Sequence, residues 1–322
     1  MTNQSNPLVS IGLTTYRRPD GLEKVLSGLI DQTYRNLEIV VSDNCSRMPE
    51  MDAVLDHFET RDSRIHVFRQ AFNLGMEPNH TFVARKATGE FFLWLHDDDD
   101  IPQDYIERCV ARFSDSPQIE LVGPRANAYL EGRYWYTYRN YSSVGESVFT
   151  RLKNLIAIGY SEPSGFQQYF YGVFRRKTLM DCMWVDGKYY YKETFSLFFR
   201  ISEIGFIHFA EDVTLEKFNS NEDFKKWREA KYVDKPLRYK FFGAKLEELL
   251  PRTANIFATV IKSQELSNAD KFSLLKFCIT QFFRTLFISK IPLWKRIVLL
   301  PFRIVRKVMH VADQVLDRIL RA

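Results

Sequence analysis

The sequence lacks the features that mark several common classes of protein. Its 322 residues include only four cysteines, and their wide spacing fits neither a zinc site nor a disulfide framework. No window holds the ~18–20 uncharged apolar residues that a spanning helix needs, and the polar start has no apolar core of a secretory signal. We therefore expect a protein of the reducing cytoplasm with no membrane-spanning segment.

Glycine-rich phosphate-binding loops are also missing. The sequence contains neither GxxxxGK nor GxGxxG, and no GGxGxR loop follows the first apolar run. P-loop and dinucleotide-binding folds are therefore disfavoured. With 45% hydrophobic and 26% charged residues, the chain is not disordered, and its length suits one large domain or about two ordinary ones.

Charge is distributed unevenly along the chain. Residues 271–322 carry 11 Lys and Arg against two acids, a net charge of +9, whereas residues 1–270 have a net charge of −4. Apolar residues recur at helical spacing in this tail, at Phe272, Leu275, Ile279, Phe282, Phe283 and Leu286, and again at Ile304, Val308, Val311, Val315 and Ile319. Basic amphipathic helices are typical of proteins that bind an anionic membrane surface. The alternative is a helical subdomain whose stripe packs on the body or on another subunit. The acidic body disfavours nucleic acid as a partner.

Apolar runs and helical periodicity alternate through the first hundred residues. The pattern predicts strands at Leu8–Thr14, Leu37–Ser42, Ile65–Phe68 and Phe91–Leu95, with helices between them. Further strands are predicted at Leu121–Pro124 and Gly172–Phe174, and helices at Val148–Ile158 and Thr194–Ile204. The fold class is therefore α/β, a Rossmann-like sheet with helices on both faces and ligands at the carboxyl ends of the strands. A helical C-terminal region follows it. We predict domains at 1–220 and 221–322.

Four adjacent carboxylates, Asp97–Asp100, follow the most apolar strand, FFLWL. Their mutual repulsion is about 1 kcal/mol per pair even in water, and a divalent cation would relieve it. Mg²⁺ and Mn²⁺ are hard cations that take oxygen ligands. The sequence therefore predicts a metal site here, against the alternative of a metal-free acidic loop.

Several motifs in a fixed order resemble the nucleotide-sugar-binding half of the family 2 glycosyltransferases, which have the GT-A fold. They are VSIGLTTYRRP from Val9, IVVSDNCS from Ile39, NLG from Asn73 and FLWLHDDDDIPQDYI from Phe92, and the resemblance covers about residues 8–215. It implies an inverting transferase of the kind that builds bacterial surface polysaccharides.

The resemblance also implies the parts of a donor site. Thr14, Thr15 and Tyr16 match the loop that packs the base. Asp43 matches the acid that hydrogen-bonds the N3–H of uracil or thymine; alone, it would be read as a turn cap. Asn73 and Gly75 match a loop that closes over the base.

The acidic motif supplies the remaining donor and metal residues in this resemblance. The preferred register aligns His96 with the family's first Asp, gives Asp97 to the ribose and Asp98 to the metal, and leaves Asp99 in a supporting or water-mediated position. A second register, aligned on the acids alone, pairs Asp97 with Asp99. Arg17 and Arg18 are candidates for the phosphates, although surface arginines are the commoner case.

The acceptor side is represented by KETFSLFFRISEIG from Lys192. In the family an ED pair usually opens this helix, so Glu193 takes the place of the Glu and Thr194 replaces the Asp. The resemblance thus implies Glu193 as the general base; a first-turn helix acid is the structural alternative, and Asp186 and Asp181 are the next candidates.

Together these inferences predict transfer from a UDP- or dTDP-sugar, with Mn²⁺ or Mg²⁺, to a glycan acceptor that is lipid-linked. The protein would work peripherally on the cytoplasmic face of the membrane. The alternative is a non-catalytic sugar-nucleotide-binding or scaffold protein recruited by its basic tail.

Overall fold

The computed structural model describes most of the first 219 residues and part of the remainder. The described residues are 6–130, 133–137, 141–161, 167–185, 188–189, 194–219, 253–254 and 256–287. Two compact units divide the chain: Met1–Gly145 with Gly165–Trp227, and Glu146–Ser164 with Arg228–Ala322. The domain boundary near residue 220 stays a prediction.

Strands and helices of the described residues are numbered in chain order. The strands are β1 (Val9–Thr15), β2 (Leu37–Asp43), β3 (Ile65–Arg69), β4 (Phe91–His96), β5 (Ile119–Leu130), β6 (Arg133–Thr137), β7 (Val173–Arg175), β8 (Trp184–Val185), β9 (Lys188–Tyr189) and β10 (Phe206–Asn219). The helices are α1 (Pro19–Ile30), α2 (Pro49–Arg61), α3 (Met76–Lys86), α4 (Tyr105–Arg112), α5 (Val148–Ser161), α6 (Gln167–Phe170), α7 (Arg176–Met183), α8 (Thr194–Ile204) and α9 (Asn268–Phe287).

The main sheet is mixed, in the order β10-β5-β7-β4-β1-β2-β3, with β6 paired to β5 as an eighth strand. Strands β1 to β4 pair in parallel, and β10 pairs in parallel with β5. The short β7 lies antiparallel between β4 and β5. The strand order reverses beside β1, between β2 and β4, which is where open α/β sheets bind ligands. This confirms the predicted fold class for the first unit.

Local sequence explains why the first α/β units form. Helix α1 begins at Pro19, a residue favoured in the first helical turn, and buries Leu22, Val25, Leu26 and Leu29 on one face. Strand β4 is buried along FFLWL, as expected of a central strand covered on both faces. Most of the predicted strands and helices are present with boundaries shifted by one to three residues; β5 is longer, at 12 residues.

Sequence periodicity missed several elements of the middle region. Strand β10 has 14 residues and contains a register shift between Ala210 and Thr214, which interrupts the alternation that marks a strand. His208 lies in β10, where burial lowers its pKa. Strands β8 and β9 have two residues each, too few to show a period.

The second unit contains α5 and α9, which pack against each other. Helix α9 buries Leu274, Leu275, Cys278 and Phe282, whereas Phe272 is 43% exposed. Two residues of the apolar stripe predicted to meet a membrane, Leu275 and Phe282, are therefore buried in the protein. In the part of the chain that the structure describes, no helix is both long and apolar enough to cross a membrane. Most of the basic tail, including residues 288–322, lies outside the described residues.

Candidate donor and metal site

The carboxyl ends of β1, β2 and β4 meet at one edge of the sheet. In the strand register, Thr14 lies opposite His96, and Thr15 lies opposite Asp43. Residues that are up to 82 positions apart in the sequence are thereby brought to one place. All four residues are among the predicted site residues.

Asp97 is the buried acid of the motif, with 6% of its surface exposed. Its Oδ2 accepts hydrogen bonds from the Thr15 hydroxyl at 2.8 Å and from the Tyr16 backbone N–H at 3.2 Å, and its Oδ1 lies 3.3 Å from Arg18 Nη1. Burial raises the pKa of Asp97, an effect that these donors partly oppose. The carboxylate therefore joins β4 to the loop after β1. Its predicted contact with a ribose stays a prediction.

Gly21 allows helix α1 to approach this turn closely. A Cβ at position 21 would lie 2.2 Å from the backbone oxygen of Asp97. Because that oxygen belongs to the main chain, no side-chain rotation could relieve the contact. Glycine is therefore required to seat the start of α1 against the acidic motif.

Asp98 and Arg18 form an ion pair at the surface. Arg18 Nη1 lies 2.7 Å from Asp98 Oδ2, and the two side chains are 54% and 60% exposed for Arg18 and Asp98 respectively. The hydrogen bond to Asp98 is the main cause that raises the pKa of Arg18. Next along the motif, Asp100 pairs with Lys24 of α1 at 2.9 Å. Asp97, Asp98 and Asp100 thus each have a basic partner from α1 or from the residue before it.

His96, Asp98 and Asp99 form a group able to hold a metal ion. One ligand atom from each lies within 4.8 Å of the others. Asp99 Oδ2 accepts a hydrogen bond from the His96 backbone N–H at 2.7 Å and lies 3.0 Å from His96 Nδ1. Two carboxylates and an imidazole suit Mn²⁺, whereas an imidazole is a less usual ligand for Mg²⁺.

A second histidine lies behind His96 in the protein interior. The rings of His80 and His96 are 4.8 Å apart and edge-to-face, and His80 is only 1% exposed. Burial, assisted by His96, lowers the pKa of His80 to about 3, so this ring is neutral at neutral pH. No sequence pattern indicated this pair, since position 80 lies on α3 within an unremarkable helical stretch.

The predicted base-binding loops are tied to each other by asparagines. Asn44 Nδ2 donates to Asn73 Oδ1 at 3.0 Å, and Asn44 Oδ1 accepts from the Leu74 backbone N–H at 2.7 Å. Asn73 Oδ1 also accepts from the Gly75 backbone N–H at 2.8 Å, and Gly75 has a φ of +83° immediately before α3. Asn44 was missed by sequence reasoning, although its position directly after Asp43 was a signal.

Asp43 is 4% exposed and caps its own loop. Its carboxylate accepts hydrogen bonds from the backbone N–H of Ser46, at 3.1 and 3.3 Å, and from the Ser46 hydroxyl. The Ser46 hydroxyl in turn accepts from the Arg17 backbone N–H at 2.8 Å. The turn-cap alternative weighed for Asp43 is thus present in the structure, and base recognition stays a prediction.

A pocket of about 400 Å³ opens beside the acidic motif. Its lining combines carboxylates with basic side chains from the start of α1: Arg17, Arg18, Pro19, Asp20, Gly21, Lys24, Val25, Asp97, Asp98 and Asp99. Mixed charge of this kind suits a ligand that carries both anionic groups and a metal.

The predicted acceptor side is only partly described. Glu193 and Asp186 lie outside the described residues. Asp181 lies on α7, is exposed and pairs with Lys177 four residues earlier at 2.7 Å, as an ordinary surface helix pair does.

Comparison with known proteins agrees with this geometry. Residues 10–182 match the family model of glycosyl transferase family 2. The chain belongs to this family. The match covers β1 to β4 and the acidic motif, and it extends into α7.

Three relatives illustrate the family. A putative teichuronic acid biosynthesis glycosyltransferase of Bacillus subtilis, TuaG, is 31% identical over 40% of this chain and 47% of its own length. A Campylobacter jejuni GalNAc(5)-diNAcBac-PP-undecaprenol beta-1,3-glucosyltransferase is 32% identical over 30% of this chain and 31% of its own. An uncharacterized glycosyltransferase of Haemophilus influenzae is 30% identical over 39% and 37%. The aligned region thus spans less than half the length of each of these relatives.

Two solved structures share the fold of this chain. S. aureus TarS in complex with UDP-GlcNAc superposes with a TM-score of 0.57 at 14% identity, covering 90% of this chain and 77% of that chain. The mannosyltransferase PcManGT of Pyrobaculum calidifontis, in complex with GDP-Man and Mn2+, has a TM-score of 0.51 at 14% identity and covers 89% of each chain. Such likeness establishes the GT-A fold.

Proposed function

We propose that this family 2 protein transfers a sugar from a UDP- or dTDP-sugar to a glycan, with inversion at the anomeric carbon. The observation that carries the proposal is the meeting of His96, Asp98 and Asp99 at the strand-order reversal, beside a 400 Å³ pocket lined by both acids and bases. A sugar nucleotide needs such a site because its diphosphate is anionic and its leaving group must be stabilised.

The metal is Mn²⁺ or Mg²⁺, held by His96, Asp98 and Asp99. The donor set of one imidazole and two carboxylates favours Mn²⁺. When bound, a divalent cation would neutralise charge on the diphosphate leaving group. The structural neighbour PcManGT, solved in complex with GDP-Man and Mn2+, supports the same assignment here.

The protein's own side chains supply the remaining functions in this proposal. Thr14 and Thr15 at the end of β1, with Tyr16 in the loop that follows, pack the nucleoside, and Asp43 accepts a hydrogen bond from the N3–H of the nucleobase. Asn73 and Gly75 position the neighbouring loop. Two of these loops are already braced by the Asn44 to Asn73 hydrogen bond, so little ordering would be needed on binding.

The general base in this proposal is Glu193, the residue just before α8. It takes the proton of the acceptor hydroxyl as that oxygen attacks the anomeric carbon and the bond to the diphosphate oxygen breaks. Asp186 is the alternative. Asp181 is less suitable, because it pairs with Lys177 on an exposed helix face.

The acceptor is a lipid-linked glycan, reached peripherally at the cytoplasmic face of a membrane. The Campylobacter relative, whose name includes a PP-undecaprenol acceptor, supports this assignment. The tail of net charge +9 supports membrane recruitment. The different-class alternative, a scaffold that binds sugar nucleotide without turnover, is favoured only by the replacement of the family's second acid by Thr194.

Donor binding and hydrolysis test the proposal directly. Thermal shift against a panel of nucleotide sugars, with and without Mn²⁺, should reveal one class that stabilises the protein by about 2.7 kcal/mol at a hundredfold excess over Kd. In the presence of Mn²⁺, the nucleotide sugar that binds should then be hydrolysed slowly to free sugar and nucleoside diphosphate. Binding without turnover, even with acceptor extracts, would favour the scaffold.

Asp98→Asn is the matched variant for the metal. Asp98 is 60% exposed, so removal of its charge should leave the fold intact while metal-dependent donor binding is lost. Asp100→Asn is the control, because Asp100 pairs with Lys24 and lies outside the three-residue metal group. Full donor affinity in Asp98→Asn would contradict the metal assignment.

A further inference from the structure

Arg18 forms an ion pair with Asp98, one of the carboxylates assigned to the metal. Its Nη1 lies 2.7 Å from Asp98 Oδ2 and 3.3 Å from Asp97 Oδ1, so a single guanidinium nitrogen bridges two acids of the motif. Asp98 is also one of the three residues whose ligand atoms converge within 4.8 Å. A divalent cation that engages this oxygen of Asp98 must therefore compete with Arg18 for it.

The Arg18–Asp98 ion pair can be broken at little cost in free energy. Both side chains are more than half exposed, at 54% for Arg18 and 60% for Asp98, and exposed ion pairs of this kind contribute little. Asp97, in contrast, is buried, and besides Arg18 it accepts hydrogen bonds from the Thr15 hydroxyl and the Tyr16 backbone N–H. If Arg18 leaves, the buried Asp97 carboxylate therefore still has two hydrogen-bond donors of its own.

Once it is separated from Asp98, Arg18 can bind an anionic ligand in the pocket that both residues line. It lines the same pocket as Asp98 and directly precedes Pro19, where α1 begins. A planar guanidinium binds phosphate oxygens through two parallel hydrogen bonds, which a lysine cannot reproduce. The other two basic side chains of the pocket are already engaged: Arg17 lies over the Tyr16 ring at 5.1 Å, and Lys24 pairs with Asp100.

We infer that Arg18 is an internal counter-ion of the acidic motif that Mn²⁺ displaces from Asp98 and that the diphosphate of the donor then receives. This rests on the proposed function. It couples the two ligands: metal alone must break the Arg18–Asp98 pair, whereas metal with nucleoside diphosphate gives Arg18 a new partner. Mn²⁺ and UDP should therefore bind with positive cooperativity, and by thermodynamic linkage each raises the affinity of the other by the same factor.

The test measures Mn²⁺ binding by electron paramagnetic resonance, first without nucleotide. Arg18→Gln should bind Mn²⁺ about two- to fivefold more tightly than wild type, the range expected for loss of an exposed competing pair. Lys24→Gln is the charge-matched control, since it removes a cation paired to Asp100, which lies outside the metal group. Arg18→Lys keeps the charge and should stay close to wild type.

The titration is then repeated with saturating UDP. Wild type should gain more Mn²⁺ affinity from UDP than Arg18→Gln gains, so the coupling factor should fall in the variant. Circular dichroism and thermal melting establish that each variant is folded.

The possible results distinguish the counter-ion role of Arg18 from the metal site itself. Unchanged or weaker Mn²⁺ binding by Arg18→Gln, or an equal gain in Lys24→Gln, would overturn the counter-ion role while the metal site stands. Absence of Mn²⁺ binding by every form, even with UDP, would overturn the proposed metal site and the counter-ion role with it.

Discussion

Replacing His80 with phenylalanine should make the stability of the protein less sensitive to acid. His80 is 1% exposed on α3, and burial lowers the pKa of its imidazole from an ordinary 6.5 to about 3. In the unfolded chain the same ring regains its ordinary pKa. Between pH 6.5 and 3 the unfolded state therefore binds a proton that the folded state does not.

The sign and size of the effect follow from this difference. A depressed histidine pKa contributes stability that is fully present above pH 6.5 and is lost progressively as the pH falls toward 3. At pH 5 the unfolded state gains about 2 kcal/mol relative to pH 7, from the 1.36 kcal/mol that each pKa unit represents. This is a substantial share of the roughly 5–15 kcal/mol typical of a folded domain.

Urea unfolding followed by circular dichroism at pH 7 and pH 5, in chelator, measures the effect. The drop in unfolding free energy between the two pH values should be about 2 kcal/mol smaller in His80→Phe than in wild type. His57→Asn, at an exposed position of α2, should leave the drop almost unchanged. Equal drops in His80→Phe and wild type would refute the reasoning, whatever the absolute stability of the variant.

Three further predictions concern other parts of the chain. Gly21→Ala should lower the free energy of unfolding by about 1–3 kcal/mol and weaken Mn²⁺ binding, because the new Cβ would meet the Asp97 backbone oxygen. Gly28→Ala on the same helix is the control; its Cβ would meet nothing within 4 Å, so it should stabilise the protein by about 0.5–1 kcal/mol. Thermal melts compare the two variants. Glu193→Gln should keep donor binding and lose transfer by about 10²–10⁴-fold; lost donor binding or an unchanged rate would exclude it as the base. Deleting residues 288–322 should abolish sedimentation with anionic vesicles at low salt while nucleotide binding persists. Vesicle binding by the shortened chain would contradict a membrane-binding role for residues 288–322.

The first hundred residues could be predicted well because local and global signals agree there. FFLWL is an apolar run bounded by acids, and it forms the buried central strand β4. Further along the chain, Thr194–Ile204 has the periodicity of a helix and forms α8 with those bounds. The parallel register then follows from topology, so the carboxyl ends that carry Thr15, Asp43 and His96 had to lie together.

What could not be predicted depends on contacts between distant segments. The insertion of β7 antiparallel between β4 and β5 is set by packing, and a three-residue strand carries no period of its own. The pairing of Arg18 with Asp98 depends on how closely α1 approaches the acidic turn, which Gly21 allows. The stripe on α9 illustrates a further limit, because a pattern of apolar residues does not say whether lipid or protein covers it.

The aromatic packing behind the acidic motif has an experimental consequence. The indole of Trp94 is fully buried, stacks on Phe170 with centroids 4.8 Å apart and planes 6° apart, and donates its N–H to the His80 carbonyl. Phe170 in turn stacks on His96 at 5.7 Å. Trp94 is therefore two ring contacts from a candidate metal ligand. Because the chain has five tryptophans, its emission is obtained as the difference between wild type and Trp94→Phe, and this difference is an optical reporter of that ligand. Paramagnetic Mn²⁺ should quench it and diamagnetic Mg²⁺ should not, so that occupancy of the site is readable in the unlabelled protein.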